Sequence, residues 1–212
     1  MKQPIIVLIA VFAVGLLGYV GMEFVIGEEQ ERSQTRCLNF ENDQDKTIDM
    51  ARIVGHIDRA ACLEQEGLFD QALEEIDQAI LIDENLYQLH FQRGILLSGI
   101  HRIGEAIAAY STAINLQATA ELFEARADAF RIQGDLDSAL RDYKMAIGNY
   151  GVREPPDDTY FDAFQVNVYS KAIEILLKTD RISDARQLYR DAKAANPGST
   201  RFEIFGALVE RN

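Results

Sequence analysis

The sequence has few of the residues and motifs on which catalysis depends. It has two cysteines and three histidines in 212 residues, with no C-x-x-C pair and no H-E-x-x-H, which excludes a disulfide framework and the common zinc-site spacings. It also lacks a G-x-S-x-G, a Walker loop and a dinucleotide-binding glycine fingerprint. We therefore expect no enzyme activity, no cofactor and no metal.

Positive charge is scarce as well. The chain has 21 lysines and arginines against 34 aspartates and glutamates, which gives a net charge of -13 and an isoelectric point near 4.6. Such a surface repels phosphate backbones and anionic lipid headgroups. We expect no nucleic acid among the partners of this protein.

One long apolar run lies near the N-terminus. No charged residue occurs from Pro4 to Met22, and after Glu23 the run continues to Ile26. About 22 residues at about 1.5 Å each span about 33 Å, enough to cross a hydrocarbon core of about 30 Å. A cleaved signal peptide would have a shorter apolar core and a small-x-small cleavage site, and neither fits well. We predict an uncleaved single-pass membrane anchor over residues 1–27, including a short N-terminal tail.

The orientation of this anchor depends on a nearly balanced count of basic residues. Lys2 and the free amine lie on one side of it, and Arg32 and Arg36 lie on the other. We predict that the N-terminus is inside the cell and that the remainder of the chain is outside. In a bacterium this is an inner-membrane protein with a periplasmic domain.

An acidic linker, residues 28–49, follows the anchor. It has few apolar residues and no helical stripe, which is typical of a solvated segment. Cys37 lies in this linker and Cys62 lies beyond it, so an oxidising compartment would allow one disulfide between them. Cys62 can equally pack as a small buried hydrophobic residue, and both interpretations stay open.

A repeated pattern organises the rest of the chain. The stretch GLFDQALEEIDQAILID, Gly67–Asp83, recurs in modified form at Gly99–Leu116, Gly134–Tyr150 and Asp180–Pro197. Each copy has two small residues with a bulky residue between them. These trios are Ala72, Ile76 and Ala79; Ala106, Tyr110 and Ala113; Ala139, Tyr143 and Ala146; and Ala185, Tyr189 and Ala192. The first members are 34, 33 and 46 residues apart, so the last gap contains an insertion.

This pattern resembles the tetratricopeptide repeat, a helix-turn-helix unit of about 34 residues that stacks into a solenoid. The resemblance implies an all-α fold, with the transmembrane helix followed by a solenoid over 50–199 and a capping helix over 200–212. About four repeats are expected, at about 50–83, 84–118, 119–147 and 158–199, with a loop at 148–159. The first helix of the fourth repeat is expected to be about two turns longer than usual.

Two residue types recur at equivalent places in the repeats. His56 and His90 stand where the family usually has a large packing side chain, and packing is a better explanation than metal binding, which needs more converging ligands. An arginine recurs at positions 59, 93 and 126. We expect salt bridges from these arginines to a neighbouring helix, with Asp77 and Asp142 as the acids.

The resemblance also implies a concave groove that binds partners and is lined by the first helix of each repeat. The groove positions carried over to this sequence are Val54, Ile57, Ala61, Gln88, Phe91, Ile95, Glu121, Glu124, Asp128, Arg131, Asn167, Ser170 and Glu174. The family members that clamp the carboxylate end of chaperone tails use lysine, asparagine and arginine in this groove. Their places are occupied here by Ile57, Ala61, Gln92, Glu121 and Ala125, so this clamp is absent.

The predicted groove runs from apolar to acidic along the chain. Phe91 and Ile95 offer apolar contact, while Glu121, Glu124 and Asp128 offer attraction to a basic group. We therefore expect a protein partner that presents an apolar segment with a basic end. The alternative is that these acids only keep the surface soluble.

The expected function is a membrane-tethered scaffold or adaptor that recruits or helps to assemble other proteins, of the kind used in secretion, envelope-assembly and chaperone systems. This step is an analogy with the family. A permanent structural subunit of a membrane or secretion complex is the second hypothesis. A regulator or an enzyme with an unrecognised site is the third.

Overall fold

The computed structural model describes residues 49–150, 158–195 and 200–210, and all regular structure within these ranges is helical. In chain order the helices are α1 (Asp49–Gln65), α2 (Phe69–Ile82), α3 (Tyr87–Gly99), α4 (Ile103–Leu116), α5 (Ala120–Gln133), α6 (Leu136–Tyr150), α7 (Asp158–Lys178), α8 (Ile182–Ala195) and α9 (Glu203–Glu210). A 3-10 turn, Thr200–Phe202, precedes α9. The prediction of an all-α fold is confirmed.

The helices form four hairpins, α1–α2, α3–α4, α5–α6 and α7–α8, and each hairpin turns on one residue with a left-handed backbone. These residues are Gly67 (φ 76°), His101 (φ 61°), Gly134 (φ 90°) and Asp180 (φ 57°). The next amide donates to the carbonyl five residues earlier in every turn, at 2.8 Å, 2.9 Å, 3.0 Å and 2.8 Å. This is the Schellman arrangement of helix ends. Histidine and aspartate adopt this backbone more readily than most residues, which explains how His101 and Asp180 replace glycine.

The described residues belong to two compact parts, with the boundary between Ala79 and Ile80 in α2. In the N-terminal part, one face of α1 packs together with one face of α2. The buried residues of this part are Ile53, Ala60, Leu63, Ala72, Leu73, Ile76 and Ala79. The N-terminal part is therefore one helical hairpin with an apolar core of its own.

In the C-terminal part, α3 to α9 pack against one another in chain order. The small residues predicted to allow close packing are buried throughout: Ala106, Ala113, Ala139, Ala146, Ala185 and Ala192 all have 0% exposure. Tyr110, Tyr143 and Tyr189 are buried between them. The predicted repeat register is confirmed, because each short side chain lies where two helices meet.

The fourth hairpin and the last helix complete the core of the C-terminal part. Helix α7 has 21 residues, whereas α3 has 13 and α5 has 14, so the predicted two-turn extension is confirmed. Phe202 of the 3-10 turn and Val209 of α9 are completely buried at the end of the core. Arg186 fixes the far end of α9 by donating from Nε to the carbonyl of Val209 at 2.6 Å.

None of the helices within 49–150, 158–195 and 200–210 is long and apolar enough to cross a membrane. The predicted anchor and most of the acidic linker, residues 1–48, lie outside the described residues, as do residues 151–157 of the predicted loop. The third hairpin extends further than expected, because α6 continues to Tyr150 and the predicted repeat ends at 147.

Candidate functional site

The middle of the predicted groove is a hydrogen-bonded network that joins α5 to α7. The Lys171 ammonium nitrogen lies 2.9 Å from Glu124 Oε1 and 2.6 Å from Asp128 Oδ2. The three side chains are between 16% and 30% exposed, so solvent reaches the network. Burial acts to lower the pKa of Lys171, but the bonds and charges of Asp128 and Glu124 outweigh it and raise that pKa. Lys171 therefore carries its positive charge.

Two neutral donors hold the same carboxylates. Asn167 donates from Nδ2 to Glu124 Oε1 at 2.7 Å, and the Tyr143 hydroxyl donates to Asp128 Oδ1 at 2.6 Å. Burial and the contact with Asp128 raise the pKa of Tyr143 far above its ordinary value. The Tyr143 hydroxyl thus remains protonated and donates a hydrogen bond to Asp128.

The charges in this network are balanced. Arg131 approaches Asp128 with its nitrogen atoms 3.3 Å and 3.4 Å from Oδ1, so two cations accompany the two carboxylates. Lys171 and Arg131 thus already neutralise much of the negative charge that Glu124 and Asp128 would offer a partner. Glu121 on α5 and Glu174 on α7 are exposed carboxylates on the same two helices.

The apolar section of the predicted groove lies on α3. Phe91 and Ile95 are partly buried and Gln88 is exposed. The Phe91 ring centroid lies 5.9 Å from that of Tyr110, and the Tyr110 hydroxyl lies 3.3 Å from Ser98 Oγ. Burial is the main cause that raises the pKa of Tyr110, and the charge of Asp128 adds to it. Tyr110 is only 3% exposed, so its buried ring supports Phe91 from within the core.

Ser170 does not line the predicted groove. Ser170 is only 5% exposed, and its hydroxyl donates to the Val166 carbonyl at 2.6 Å. A serine that bonds to its own helix four residues back is not presented to a partner. The structure places Lys171 in the network instead. Lys171 follows Asn167 by four residues, and this one-turn spacing is the sequence signal that would have identified it.

The predicted groove residues of the first repeat belong to the N-terminal part. Val54 is 47% exposed, Ala61 is exposed and Ile57 is partly buried, all on α1. They form an apolar surface of this hairpin. The predicted disulfide partner of Cys62, Cys37, lies outside the described residues.

Two of the recurring arginines, Arg59 and Arg126, form salt bridges within their own hairpins. Arg126 donates from Nε and Nη2 to both carboxylate oxygens of Asp142, at 2.6 Å and 3.0 Å, so the predicted pair with Asp142 is confirmed. Arg59 pairs with Glu75 at 2.9 Å, an acid that was not predicted from the sequence, and a salt bridge from a recurring arginine to Asp77 stays a prediction. Glu75 and Asp142 both come three residues after the first small residue of their trio, which is the signal that would have selected Glu75.

The two recurring histidines make hydrogen bonds inside the protein. His56 Nδ1 lies 2.7 Å from Glu75 Oε2, and His90 Nε2 lies 2.9 Å from the Glu84 carbonyl. Burial acts to raise the pKa of Glu75, but the bonds from Arg59 and His56 outweigh it and lower that pKa. In the part of the chain that the structure describes, no three metal-ligating side chains come together.

No protein-family model and no curated protein matches this sequence. Several solved structures do match this chain. A tetratricopeptide repeat protein from Parabacteroides merdae is 18% identical with a TM-score of 0.61, over 75% of this chain and 59% of that one. MamA is 17% identical with a TM-score of 0.57, over 71% and 76% of the two chains. YrrB, described as a tetratricopeptide repeat protein with an unusual peptide-binding site, is 15% identical with a TM-score of 0.55, over 74% and 78%.

The three hairpins of the C-terminal part pack in chain order, as in an α-solenoid. The solved structures show that the fold is that of tetratricopeptide repeat proteins. The chain spans about three fifths of the length of the Parabacteroides merdae protein. Since identities of 15–18% show a shared fold and no more, the partners of those proteins are not transferred to this chain by the match.

Proposed function

We propose that this protein is an interaction scaffold that binds partner proteins or peptide segments on the face formed by α3, α5 and α7. The observation that carries the proposal is that partly exposed side chains on this face are held in place from below: Phe91 lies against the buried Tyr110 ring, and Asp128 and Lys171 are joined in the hydrogen-bonded network. A preformed surface loses little conformational freedom on binding, which favours recognition of an extended or helical segment. The peptide-binding site named for YrrB supports the same use of the fold.

The partner we propose has an apolar segment and a basic end. Phe91 and Ile95 contact the apolar residues. The exposed acids Glu121 and Glu174 attract the basic end, since the carboxylates of Glu124 and Asp128 are already balanced by cations of the chain. Attraction between exposed charges is screened by salt, so association slows as ionic strength rises.

We also propose that residues 4–26 anchor this scaffold in a membrane, as a bacterial inner-membrane protein with its domain in the periplasm. The support is the length of the uncharged run. Protease added to intact spheroplasts tests the orientation. Degradation of the domain is the expected result, and full protection until the membrane is lysed contradicts the periplasmic location.

Capture of partners by crosslinking in the native membrane tests the scaffold. We expect the proteins that the wild type captures to be lost with Phe91→Ser and weakened with Glu121→Lys. Leu116→Ser is the matched control, because Leu116 is a large apolar residue on α4 that is 39% exposed. Equal capture by the wild type and the Phe91 and Glu121 variants contradicts the proposed face.

A further inference from the structure

A cavity of about 280 Å³ lies between α6 and α8, the second helices of the third and fourth hairpins. Ile147 and Leu188 are its apolar lining residues, and both are half-buried against the core of the C-terminal part. The remaining lining residues are polar and exposed: Lys144, Asp184, Gln187 and Asp191. The cavity therefore opens to solvent and combines apolar side chains with charges of both signs.

The cavity lies where the preceding hairpin holds an arginine. Arg126 donates to Ser111 on α4 and to Asp142 on α6, so its side chain lies between two successive second helices. Arginine recurs at this place in the first three hairpins, 13 positions before the first small residue of each trio, but the fourth hairpin has Ala172 there. Ala172 is fully buried and its side chain ends at Cβ, so it cannot bridge α6 and α8 as Arg126 bridges α4 and α6.

Both residues that Arg126 bonds have a counterpart in the lining of the cavity. In the register of the trios, Ser111 corresponds to Lys144 and Asp142 corresponds to Leu188. The cavity is therefore the space that a side chain of the protein fills one repeat earlier. Its chemistry differs, because leucine stands in the place of the buried acid. A large apolar side chain fits this space better than a guanidinium, since a buried charge without a partner is costly.

The wall that α8 contributes has the pattern of a helix–helix contact. Its four lining residues are spaced by three, one and three positions, and they are Asp184, Gln187, Leu188 and Asp191. Four residues with this spacing lie on one face of a helix and form the hole that receives one side chain of a neighbouring helix in knobs-into-holes packing. The shape of the cavity thus suits a helix that lies along α6 and α8.

The charges of the two walls specify what flanks the inserted side chain. Asp184 is already paired with Arg181 at 2.8 Å, whereas Asp191 accepts from the neutral Gln187 at 2.8 Å. On the opposite wall Lys144 is exposed, and it has no ion pair with the residues that the structure describes. A basic residue of a partner therefore complements Asp191, and an acidic residue complements Lys144.

We propose that this cavity is a second docking site, which receives a helix of another protein. The helix inserts one large apolar side chain between Ile147 and Leu188, with lysine or arginine on the side of Asp191 and an acidic residue on the side of Lys144. A second copy of the chain is a poorer occupant, because each copy has a net charge of -13 and like charges oppose association. The site goes beyond the proposed function, because it is formed by second helices and the face on α3, α5 and α7 is formed by first helices.

A helical peptide with one tryptophan tests the inference on the full chain, which has no tryptophan of its own. The peptide has the tryptophan at the centre of its apolar stripe, lysines along one side of the stripe and glutamates along the other. Tryptophan emission moves to shorter wavelength when the indole leaves water. We expect a saturable shift as the chain is added, and the titration gives the Kd.

Two substitutions with the same change of charge separate this cavity from the other face. Asp191→Lys should raise the Kd several-fold, because it places a cation beside the lysines of the peptide. Glu121→Lys, at an exposed position on α5, should leave the Kd unchanged. A double variant, Ala172→Arg/Leu188→Asp, places the arginine–aspartate pair of the third hairpin in the fourth and fills the cavity. We expect it to abolish the shift, with circular dichroism showing that the helices are retained.

The absence of a shift with the wild type overturns the inference. So does a Kd that is the same for Asp191→Lys and the wild type, or one that rises with Glu121→Lys instead. A Kd that rises with the concentration of the chain indicates that a second copy occupies the cavity, and it also contradicts the inference. The proposed face on α3, α5 and α7 is tested by Phe91→Ser and Glu121→Lys, so the two sites can fail separately.

Discussion

Replacing Arg126 with leucine is the most direct way to perturb the packing of the C-terminal part. The guanidinium bonds both oxygens of Asp142, at 2.6 Å and 3.0 Å, and it also donates to Ser111 Oγ on α4 at 3.0 Å. It lies 5.9 Å from the ring centroids of Phe123 and Phe130. One side chain therefore connects α4, α5 and α6.

The expected loss of stability follows from the burial of the acid. The Asp142 side chain is only 7% exposed, so Arg126→Leu leaves a buried carboxylate without its cation. Removing one partner of a buried pair costs about 3–5 kcal/mol. Replacing both residues, as Arg126→Leu/Asp142→Leu, removes the unpaired charge, and we expect the double variant to recover most of this loss.

Equilibrium unfolding of the full chain in urea measures these differences. The matched control is Arg102→Leu, because Arg102, just before α4, pairs with Glu105 in its first turn, and the two side chains are 44% and 51% exposed. Such exposed pairs contribute little to stability. We expect the control to unfold at nearly the same urea concentration as the wild type. A loss of less than about 1 kcal/mol for Arg126→Leu, or a double variant no more stable than the single one, refutes the reasoning.

Three further perturbations follow from the structure. Gly94→Ala brings a methyl group into the ring of Tyr110, so thermal unfolding should show that the free energy of unfolding falls by about 1–3 kcal/mol. Gly104→Ala, where a methyl group meets nothing within 4 Å, should be neutral or stabilising. Equal effects of the two substitutions contradict the packing of Gly94 against Tyr110. Lys171→Met leaves two carboxylates without their shared cation, so we expect a lower melting temperature at neutral pH. A melting temperature equal to that of the wild type argues against the network. Because the pKa of Glu75 is lowered in the folded protein, its stabilisation is complete above the unfolded value and is lost as the pH falls through the folded one. Glu75→Gln should flatten the decline of stability below about pH 5, and an unchanged slope in urea unfolding contradicts this.

The repeats and their buried residues can be predicted from the local sequence pattern. A small residue at each close approach of two helices is a requirement that every hairpin meets separately, so the trios from Ala72 to Ala192 identify the fold and the buried residues. The turn at His101 also follows from this register, because the neighbouring hairpins place a glycine there.

The hydrogen-bonded network of Lys171, Glu124 and Asp128 cannot be predicted from the local sequence pattern. Lys171 and Asn167 meet Glu124 across 47 and 43 residues of sequence, and this stretch contains the insertion that breaks the repeat period. Which faces of α5 and α7 meet therefore depends on the longer α7 and its packing. The same limit applies to the partner of Arg59. Glu75 and Asp77 both lie on α2, and the rotation of that helix decides which carboxylate faces Arg59 on α1.

A photoreactive amino acid in place of Phe91 tests the central claim most directly, namely that the face of α3, α5 and α7 binds protein partners. The protein is expressed in its native cells, and the control carries the same group in place of Leu116. We predict discrete crosslinked adducts from position 91 that are absent from position 116. The same adducts from both positions, or adducts from position 116 alone, contradict the account.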